Sequence, residues 1–326
     1  MQLPSDLKNA LESLFQQTNL KLLEKASTRL TNRYRMELRD GAMHIDDKDA
    51  ALGYLAARFP ATYAAVSSAL FHLTEILPDF SPASQLDIGA GPGTAVFAAT
   101  QLFQSLTSAT MVEQSDEIVK IGKDLMSRLL NISANWQRGE ISSRLLEKLD
   151  EAALVTASYV LDELDDKTQD NLIDKLWQKT KDVLLLVEPG TPAGWRRLMR
   201  GRARLIKQGA YVIAPCPHQL ACPVLAPDWC HFSVRVERSR IHRLTKQAVV
   251  PFEDEKYCYL ACSPEKKNVQ YCRILSRPQR SGGKISFSIC RPNGEKTNEI
   301  VTRNNKDIYR QLRRLEWGSS FQLTKP

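Results

Sequence analysis

Apolar residues in the first 80 positions recur at the spacing of amphipathic helices. The first pattern consists of Leu7, Leu11, Leu14 and Phe15. It follows Ser5, a residue type that favours a helix N-cap. Similar patterns run over residues 20–30 and 50–77. The sequence therefore predicts a helical N-terminal module over residues 1–80.

Beyond residue 80, short apolar runs alternate with helical patterns. The runs that predict strands cover residues 85–88, 109–113, 153–161 and 183–187. The helical patterns between them cover residues 95–103, 117–130 and 168–180. This alternation predicts an α/β fold with a doubly wound parallel sheet.

The character of the chain changes after residue 192. A basic helical pattern at 195–208 is followed by a loop rich in proline and cysteine at 214–230. Strand patterns follow at 256–262, 269–275, 284–290 and 296–301, and a short helical pattern at 307–315. The sequence Pro292-Asn293-Gly294 predicts a hairpin turn. We expect a helical module at 1–80, an α/β domain at 81–275 with a basic, cysteine-rich insertion at about 208–247, and a small β-rich appendage at 276–326.

Charge is distributed unevenly along the 326 residues. Residues 1–188 carry a net charge of −8, and residues 189–326 carry +16. The asymmetry predicts a polyanion partner for the second half, and a solvated basic surface is the alternative. The candidate phosphate contacts lie on the basic helical pattern and are Arg196, Arg197, Arg200, Arg204 and Lys207.

No membrane span and no targeting segment are predicted. The longest charge-free stretch, residues 88–112, is interrupted by glycines and polar residues, whereas a bilayer span needs about 20 predominantly apolar residues. The N-terminus carries Asp6 and Glu12 and lacks the apolar run of a secretory signal. We therefore expect no membrane partner and a cytoplasmic location.

A glycine-rich loop with the sequence Asp87-Ile88-Gly89-Ala90-Gly91-Pro92-Gly93-Thr94 connects the first predicted strand to a helix. Glycines there allow a tight turn and a close approach to a ligand, and the helix N-terminus offers free N–H groups. A phosphate-binding Walker loop needs Gly-Lys-Ser/Thr, which is absent. A dinucleotide fingerprint needs its third glycine where Thr94 stands.

The acidic residue before the glycines makes this loop resemble motif I of the class I S-adenosylmethionine-dependent methyltransferases. The resemblance implies that Asp87 lies near the amino acid part of the cofactor, with Gly89, Gly91 and Gly93 at the loop. Glu113 ends the next predicted strand, where a carboxylate can accept both ribose hydroxyls. Glu140 is a further candidate, for the adenine. The alternative is a tight turn next to surface glutamates.

The acceptor side of such a site is less well defined by the sequence. Many amino methyltransferases carry Asn/Asp-Pro-Pro-aromatic after the fourth strand, whereas this chain has Ser158-Tyr159-Val160-Leu161. Asp162 and Glu163 follow, as acid/base groups or as helix caps. We assign no catalytic residue from the sequence.

Seven cysteines, without a secretion signal, argue against a disulfide framework. Cys216, Cys222 and Cys230 lie in one proline-rich loop beside His218 and His231, an arrangement that predicts a metal site. Zinc and an iron–sulfur cluster both fit the donor types, and spacing does not separate them. The remaining cysteines are Cys258, Cys262, Cys272 and Cys290, of which the first three fit a core position. Spacing alone does not select the fourth ligand.

Together these segments resemble the Rsm-type ribosomal small-subunit methyltransferase-like family. The resemblance rests on residues 58–62, 86–95, 187–190, 209–223, 229–232, 252–260 and 290–294, with Trp317-Gly318. It implies a class I S-adenosylmethionine-dependent methyltransferase (Rossmann-like) fold. It also implies a four-iron four-sulfur (4Fe-4S) cluster held by four thiolates, from Cys216, Cys222, Cys230 and Cys290. His218 and His231 would then lie beside the ligands or face RNA.

Three function classes follow from these patterns. The first is a methyltransferase that modifies small-subunit ribosomal RNA or its precursor particle, and the second is a non-catalytic assembly factor that binds the same particle. The third is a radical S-adenosylmethionine enzyme, which the wide cysteine spacing disfavours because that class uses Cys-x3-Cys-x2-Cys.

Overall fold

Helices build the N-terminal part of the chain. The computed structural model describes residues 1–16, 18–35, 45–139, 141, 143–246 and 249–322. The first four helices are α1 (Ser5–Gln16), α2 (Leu20–Arg35), α3 (Lys48–Ala57) and α4 (Phe59–Thr74). Asp47 caps α3, because its side chain accepts a hydrogen bond from the Ala50 N–H at 2.6 Å. The predicted helical module is thus present.

The largest element of the fold is an eight-stranded sheet. Its strands are β1 (Ser84–Ile88), β2 (Ser108–Glu113), β3 (Ser133–Arg138), β4 (Ala152–Ser158), β5 (Thr180–Pro189), β6 (Tyr211–Ala214), β7 (Phe232–Glu237) and β8 (Phe252–Ser263). They run in the order β3-β2-β1-β4-β5-β8-β6, with β7 paired to β8. Strands β1 to β5 are parallel, and β8 is antiparallel to β5 and β6. The carboxyl ends of the parallel strands therefore meet at one edge.

Helices cover both faces of this sheet. They are α5 (Thr94–Leu102), α6 (Asp116–Leu129), α7 (Ser143–Glu147), α8 (Asp166–Gln178), α9 (Pro192–Lys207) and α10 (Arg240–Thr245). One buried cluster joins α1, α3 and α4 to a face of the sheet, and a second joins α8 and α9 to the other face. Because β4 and β5 are covered on both sides, they read as nearly continuous apolar runs.

A second, five-stranded sheet follows. It contains β9 (Cys272–Ile274), β10 (Gln279–Ser281), β11 (Lys284–Cys290), β12 (Lys296–Thr302) and β13 (Ser320–Phe321), with α11 (Lys306–Leu312). Its own apolar cluster includes Ile285, Phe287, Ile289 and Leu312. Strand β9 lies before residue 276, where the sequence places the start of the appendage; the domain bounds stay predictions.

The predicted Rossmann-like class I fold is confirmed, and its local errors have physical causes. Strand β3 is an edge strand with mostly exposed side chains, so no apolar run marks it. The strand predicted at 153–161 ends at Ser158, because Tyr159 has a φ of 59° and leaves the β region. Among the described residues, no helix is both long and apolar enough to cross a bilayer.

Candidate functional site

The glycine loop has the backbone conformation that its sequence predicts. Gly89, Gly91 and Gly93 have φ values of 65°, 55° and 86°, in the left-handed region that side chains with a Cβ rarely adopt. The Gly89 N–H donates to the Val112 carbonyl at 2.9 Å, which fixes the loop to the end of β2. Gly93 is the N-cap residue of α5, so the loop ends at a helix N-terminus.

Asp87 lies under this loop at the end of β1. The side chain is 2% exposed, and its Oδ1 accepts a hydrogen bond from the Thr156 hydroxyl at 2.6 Å. Its Oδ2 is buried and has no partner among the described residues. Burial raises the pKa of Asp87 to about 7, the Thr156 bond opposes this shift, and the charge of Glu113 adds to it.

Glu113 completes the acidic pair from the end of β2. Its Oε2 accepts from the Gly91 N–H at 2.9 Å, and its Oε1 accepts from the N–H groups of Gln114 and Ser115 at 2.8 and 2.9 Å. The structure thus brings together all five residues that the sequence assigns to the cofactor. Glu140, the adenine candidate, lies outside the described residues.

A cavity of about 370 Å³ opens over the loop, and its wall includes residues that the sequence does not assign to the cofactor. Tyr54 and Arg58 come from the region of α3, while Tyr159 and Glu163 follow β4. Tyr54 is hydrogen-bonded to Thr94, and burial raises its pKa. The sequence names Glu163 as an acid/base candidate, but it gives no signal for Tyr54, because Tyr54 is far from the loop and sits in a helical pattern.

Two carboxyl groups follow Tyr159: Glu163 lines this cavity, and Asp162 lines a second one. Burial raises the pKa of Glu163 to about 8, and the charges of Asp162 and Glu113 raise it further while Arg33 lowers it. Helix capping does not explain this pair, because α8 is capped by Asp165. Glu163 is therefore a carboxyl group with a raised pKa at the cavity wall.

The aromatic residue at the acceptor end is held in a strained conformation. Tyr159 is left-handed, with a φ of 59°, and lies below the Arg58 guanidinium at 5.8 Å. Its hydroxyl donates to Glu255 Oε1 at 2.9 Å. The fold therefore fixes the Tyr159 ring at the cavity wall, although the chain lacks the Pro-Pro-aromatic signature.

The four cysteines of the implied metal site converge from distant segments. Cys216, Cys222 and Cys230 lie between β6 and β7, and Cys290 ends β11 in the second sheet. Burial raises the pKa of the Cys230 thiol, and the neighbouring thiols, the other three of this set among them, raise it further. Burial also raises the pKa of Cys290 to about 12, again with contributions from Cys216 and Cys222. We call these four residues the cysteine site.

The cysteine site has the donor chemistry of a metal centre, although its thiols are not drawn together to ligating distance. Among the described residues, no three His, Cys, Asp or Glu side chains form a group that could hold a metal ion. His218 contributes the nearest other donor, with its Nε2 3.3 Å from Cys290 Sγ. Four thiols, of which those of Cys216 and Cys290 are buried, are a donor set that suits a thiophilic metal.

Most of the α9 residues that are predicted to contact phosphate form ion pairs with carboxylates instead. Arg197 is buried and pairs with Glu188 at 2.8 Å, so it cannot reach a phosphate. The other ion pairs join Arg200 to Asp166 and Asp170, and Arg204 to Asp170 and Asp174. Arg196 and Lys207 are exposed, and the described part of the chain offers them no ion pair. Of the five predicted phosphate contacts, Arg196 and Lys207 are therefore the two without an ion pair in the described residues. A helical pattern of basic residues does not show which acidic residues of the neighbouring helix α8 lie opposite them.

The main sheet, the left-handed glycine loop and the acidic pair together define a class I methyltransferase-like protein. The chain belongs to the Rsm22 family, whose model, described as mitochondrial small ribosomal subunit Rsm22, matches residues 48–322. The resemblance that the motifs predict is thereby confirmed.

Two curated proteins illustrate the relationship. The chain is 28% identical over 294 residues to the ribosome assembly protein METTL17, mitochondrial, of Homo sapiens, which covers 85% of this chain and 63% of METTL17. It is 27% identical over 327 residues to the Rsm22-cox11 tandem protein 2, mitochondrial, of Schizosaccharomyces pombe, which covers 83% of this chain and 43% of that protein. The chain thus spans less than two thirds of the length of these relatives.

Solved structures show similarity at the level of the fold. Magnesium protoporphyrin IX methyltransferase (ChlM) from Synechocystis PCC 6803, with bound S-adenosylmethionine, aligns at 12% identity and a TM-score of 0.42, over 72% of this chain and 91% of that chain. Ribosomal protein L11 methylase from Lactobacillus delbrueckii subsp. bulgaricus aligns at 13% identity and a TM-score of 0.38, over 61% and 78%.

The predicted cytoplasmic location is wrong. The family is described as mitochondrial, and both curated relatives carry mitochondrial names. The prediction relied on the N-terminal residues, which do not report the compartment of this family.

Proposed function

We propose that the chain binds S-adenosylmethionine in the cavity over the glycine loop and acts on the small ribosomal subunit, in assembly or in methylation of its RNA. The observation that carries the proposal is the pairing of Asp87 with Glu113 around Gly91. Asp87 is the carboxylate for the ammonium group of the cofactor, and Glu113 is the carboxylate for its ribose hydroxyls. Membership of the Rsm22 family supports the ribosomal role.

The metal proposal concerns the cysteine site. We infer that its four thiolates hold a 4Fe-4S cluster, with a structural zinc ion as the alternative. The support is that Cys290 belongs to the second sheet while the other three belong to the insertion. The group would supply a cross-link between these two parts of the fold, so its loss would loosen the RNA-facing side of the protein.

A second candidate function is particle binding without methyl transfer. The observation that favours it lies at the acceptor end, where Tyr159 follows β4 without a Pro-Pro signature and its hydroxyl is tied to Glu255. In this case the cofactor would stabilise the fold without reacting. Glu163 favours transfer, because it lines the cavity and a methylated nitrogen must lose a proton.

One experiment separates these two functions. The metal-loaded protein is incubated with small-subunit precursor particles and S-adenosylmethionine that carries a labelled methyl group. We expect cofactor binding and particle binding in both cases. Label in the ribosomal RNA identifies the methyltransferase, and saturated particle binding without label identifies the assembly factor. Absence of both cofactor binding and particle binding would overturn the proposal.

Gly91→Ala should weaken S-adenosylmethionine binding more than tenfold. A Cβ at this position meets only Tyr54, at 3.6 Å, but it projects from a loop residue that lines the cavity. The left-handed backbone costs alanine roughly 1–2 kcal/mol. Gly209→Ala is the matched control, because Gly209 has a φ of 86° and no atom within 4 Å of its Cβ. Calorimetric titration should show unchanged affinity for that variant, and equal losses for both would contradict the assigned pocket.

Replacing Arg196 and Lys207 together with alanine should reduce RNA affinity and its salt dependence. Each lost phosphate contact lowers the slope of log affinity against log salt by roughly 0.7–0.9. Filter binding with small-subunit RNA at several salt concentrations measures this slope. Arg128→Ala is the control, because Arg128 is exposed on α6 and paired with Asp124. An unchanged slope in the double variant would show that these α9 residues do not contact the RNA phosphates.

A further inference from the structure

A buried arginine of α9 contacts the loop that carries the cysteine site. Arg202 is 5% exposed, and its Nη2 donates to the carbonyl groups of His218 and Leu220 at 2.9 and 2.8 Å. Both acceptors lie between Cys216 and Cys222. Burial raises the pKa of Cys216, and the guanidinium opposes this shift by its charge and by a hydrogen bond; burial also raises the pKa of Cys290, and the charge of Arg202 opposes that shift. Its positive charge is therefore directed at the thiols.

The other buried or half-buried arginines of α9 are neutralised by carboxylates, whereas Arg202 is not. Arg197 pairs with Glu188, and Arg204 pairs with Asp174. In the described part of the chain, Arg202 forms no ion pair, and its Nε is buried without a hydrogen-bond partner. A buried charge without a counter-charge costs several kcal/mol, so buried charges in proteins are paired or lie beside metal centres.

Among the residues that the structure describes, the thiols of Cys216, Cys262 and Cys290 are close enough to Arg202 to be affected by its charge. Metal binding requires thiolates, because a neutral thiol is a poor ligand. Four thiolates around a divalent ion, or around a cluster core with two positive charges, leave an excess of two negative charges at the centre. A bound metal centre would thus create the counter-charge that the guanidinium lacks.

Arg273 provides a second positive charge beside the same loop. It is fully buried, and its Nε donates to the Pro215 carbonyl, next to Cys216, at 3.2 Å. Glu75 lies 3.7 Å from Arg273 Nη1 and compensates part of its charge. Arg202 is therefore the better probe of the charge balance.

We propose that Arg202 is the buried counter-charge of the metal–thiolate centre at the cysteine site and positions its ligand loop through the carbonyl groups of His218 and Leu220. This inference rests on the proposed metal centre. It assigns Arg202 a positioning and electrostatic role, not the role of a ligand.

The test compares Co²⁺ binding to reduced, metal-free protein of wild type, Arg202→Met, Arg202→Lys and Arg238→Met. Thiolate-to-cobalt absorption reports the occupied site. We expect Arg202→Met to weaken Co²⁺ binding by roughly 10–100-fold, as is usual for residues that support metal ligands. Arg202→Lys keeps the charge and should stay within a few-fold of wild type. Arg238 is a half-buried arginine paired with Glu253 away from the thiols, so Arg238→Met should bind as wild type does.

A purely structural role for Arg202 gives a different result. Loss of the two carbonyl contacts alone would lower the denaturation midpoint equally with and without Co²⁺, whereas a counter-charge makes the loss larger in the loaded protein. Unchanged affinity in Arg202→Met, or equal midpoint losses, would overturn the inference. If Arg202→Met does not fold, a loss of affinity in Arg202→Lys of more than tenfold overturns the charge role. Wild-type protein without thiolate absorption would instead refute the metal centre itself.

Discussion

Asp87→Asn should weaken S-adenosylmethionine binding by roughly 10–100-fold, and it should stabilise the cofactor-free protein at neutral pH. The carboxylate is nearly fully buried, and Oδ2 has no partner among the described residues. A hydrogen bond to a charged group contributes roughly 1.5–3 kcal/mol, which corresponds to the expected loss of affinity. Asparagine keeps the acceptor for Thr156 and removes the charge. Function and stability therefore change in opposite directions.

The stabilisation should depend on pH, because the pKa of Asp87 in the folded protein is raised to about 7. Below about pH 4 the group is protonated in both folded and unfolded chains. Between these values the unfolded chain releases the proton and the folded chain keeps it, so the stability contributed by neutral Asp87 is lost as pH rises towards 7. Asparagine does not titrate. The amount by which the free energy of unfolding of Asp87→Asn exceeds that of wild type should therefore grow with pH, to a few kcal/mol.

Thermal denaturation without cofactor between pH 5 and 8, together with calorimetric titration at pH 8, checks both parts. Asp79→Asn is the matched control, because Asp79 is exposed in the segment before β1. Its denaturation midpoint should follow wild type at every pH. Wild-type affinity in Asp87→Asn would remove Asp87 from the cofactor site, and a midpoint difference that is constant with pH would contradict the raised pKa.

The cofactor side of the site could be predicted because its residues are local in sequence. A glycine loop constrains its own φ angles, and Asp87 and Glu113 end adjacent parallel strands, so the strand pattern alone places them at one edge. The doubly wound sheet follows from the apolar runs of β4 and β5, which are buried on both faces. The edge strand β3 lacks such a run and was missed.

The remaining parts of the site depend on tertiary contacts. Tyr54 reaches the cavity from α3, and nothing in its helical pattern marks that face as a pocket wall. The basic pattern of α9 was interpreted as a phosphate surface, but Glu188 and the acidic face of α8 neutralise three of its arginines. The same pattern concealed Arg202, which is buried beneath the cysteine loop. A charge pattern shows which residues are basic, but it does not show which acidic residues they contact.

Cysteine replacement should separate ligands from core thiols. Each of Cys216→Ser, Cys222→Ser, Cys230→Ser and Cys290→Ser should lose most of the bound metal after purification without oxygen. Cys262→Ala is the matched control, because Cys262 is fully buried on β8 in an apolar cluster. It should lose packing energy of about 1–2 kcal/mol and keep its metal. Iron, acid-labile sulfide and zinc are measured together, so the identity of the centre is obtained from the same samples.

Cys290→Ser should have the largest structural effect of the set, because Cys290 is the one member of the cysteine site that belongs to the second sheet. Structural metal centres contribute on the order of 10 kcal/mol to the domains that they hold, so the second sheet should become the first part to exchange its amide hydrogens. Hydrogen exchange followed by mass spectrometry measures this for β11 and β12, with Cys262→Ala as reference. Full metal content in Cys290→Ser, with loss in the other three variants, would show that another donor completes the site. His218 would then be that donor, since its Nε2 lies 3.3 Å from the Cys290 sulfur.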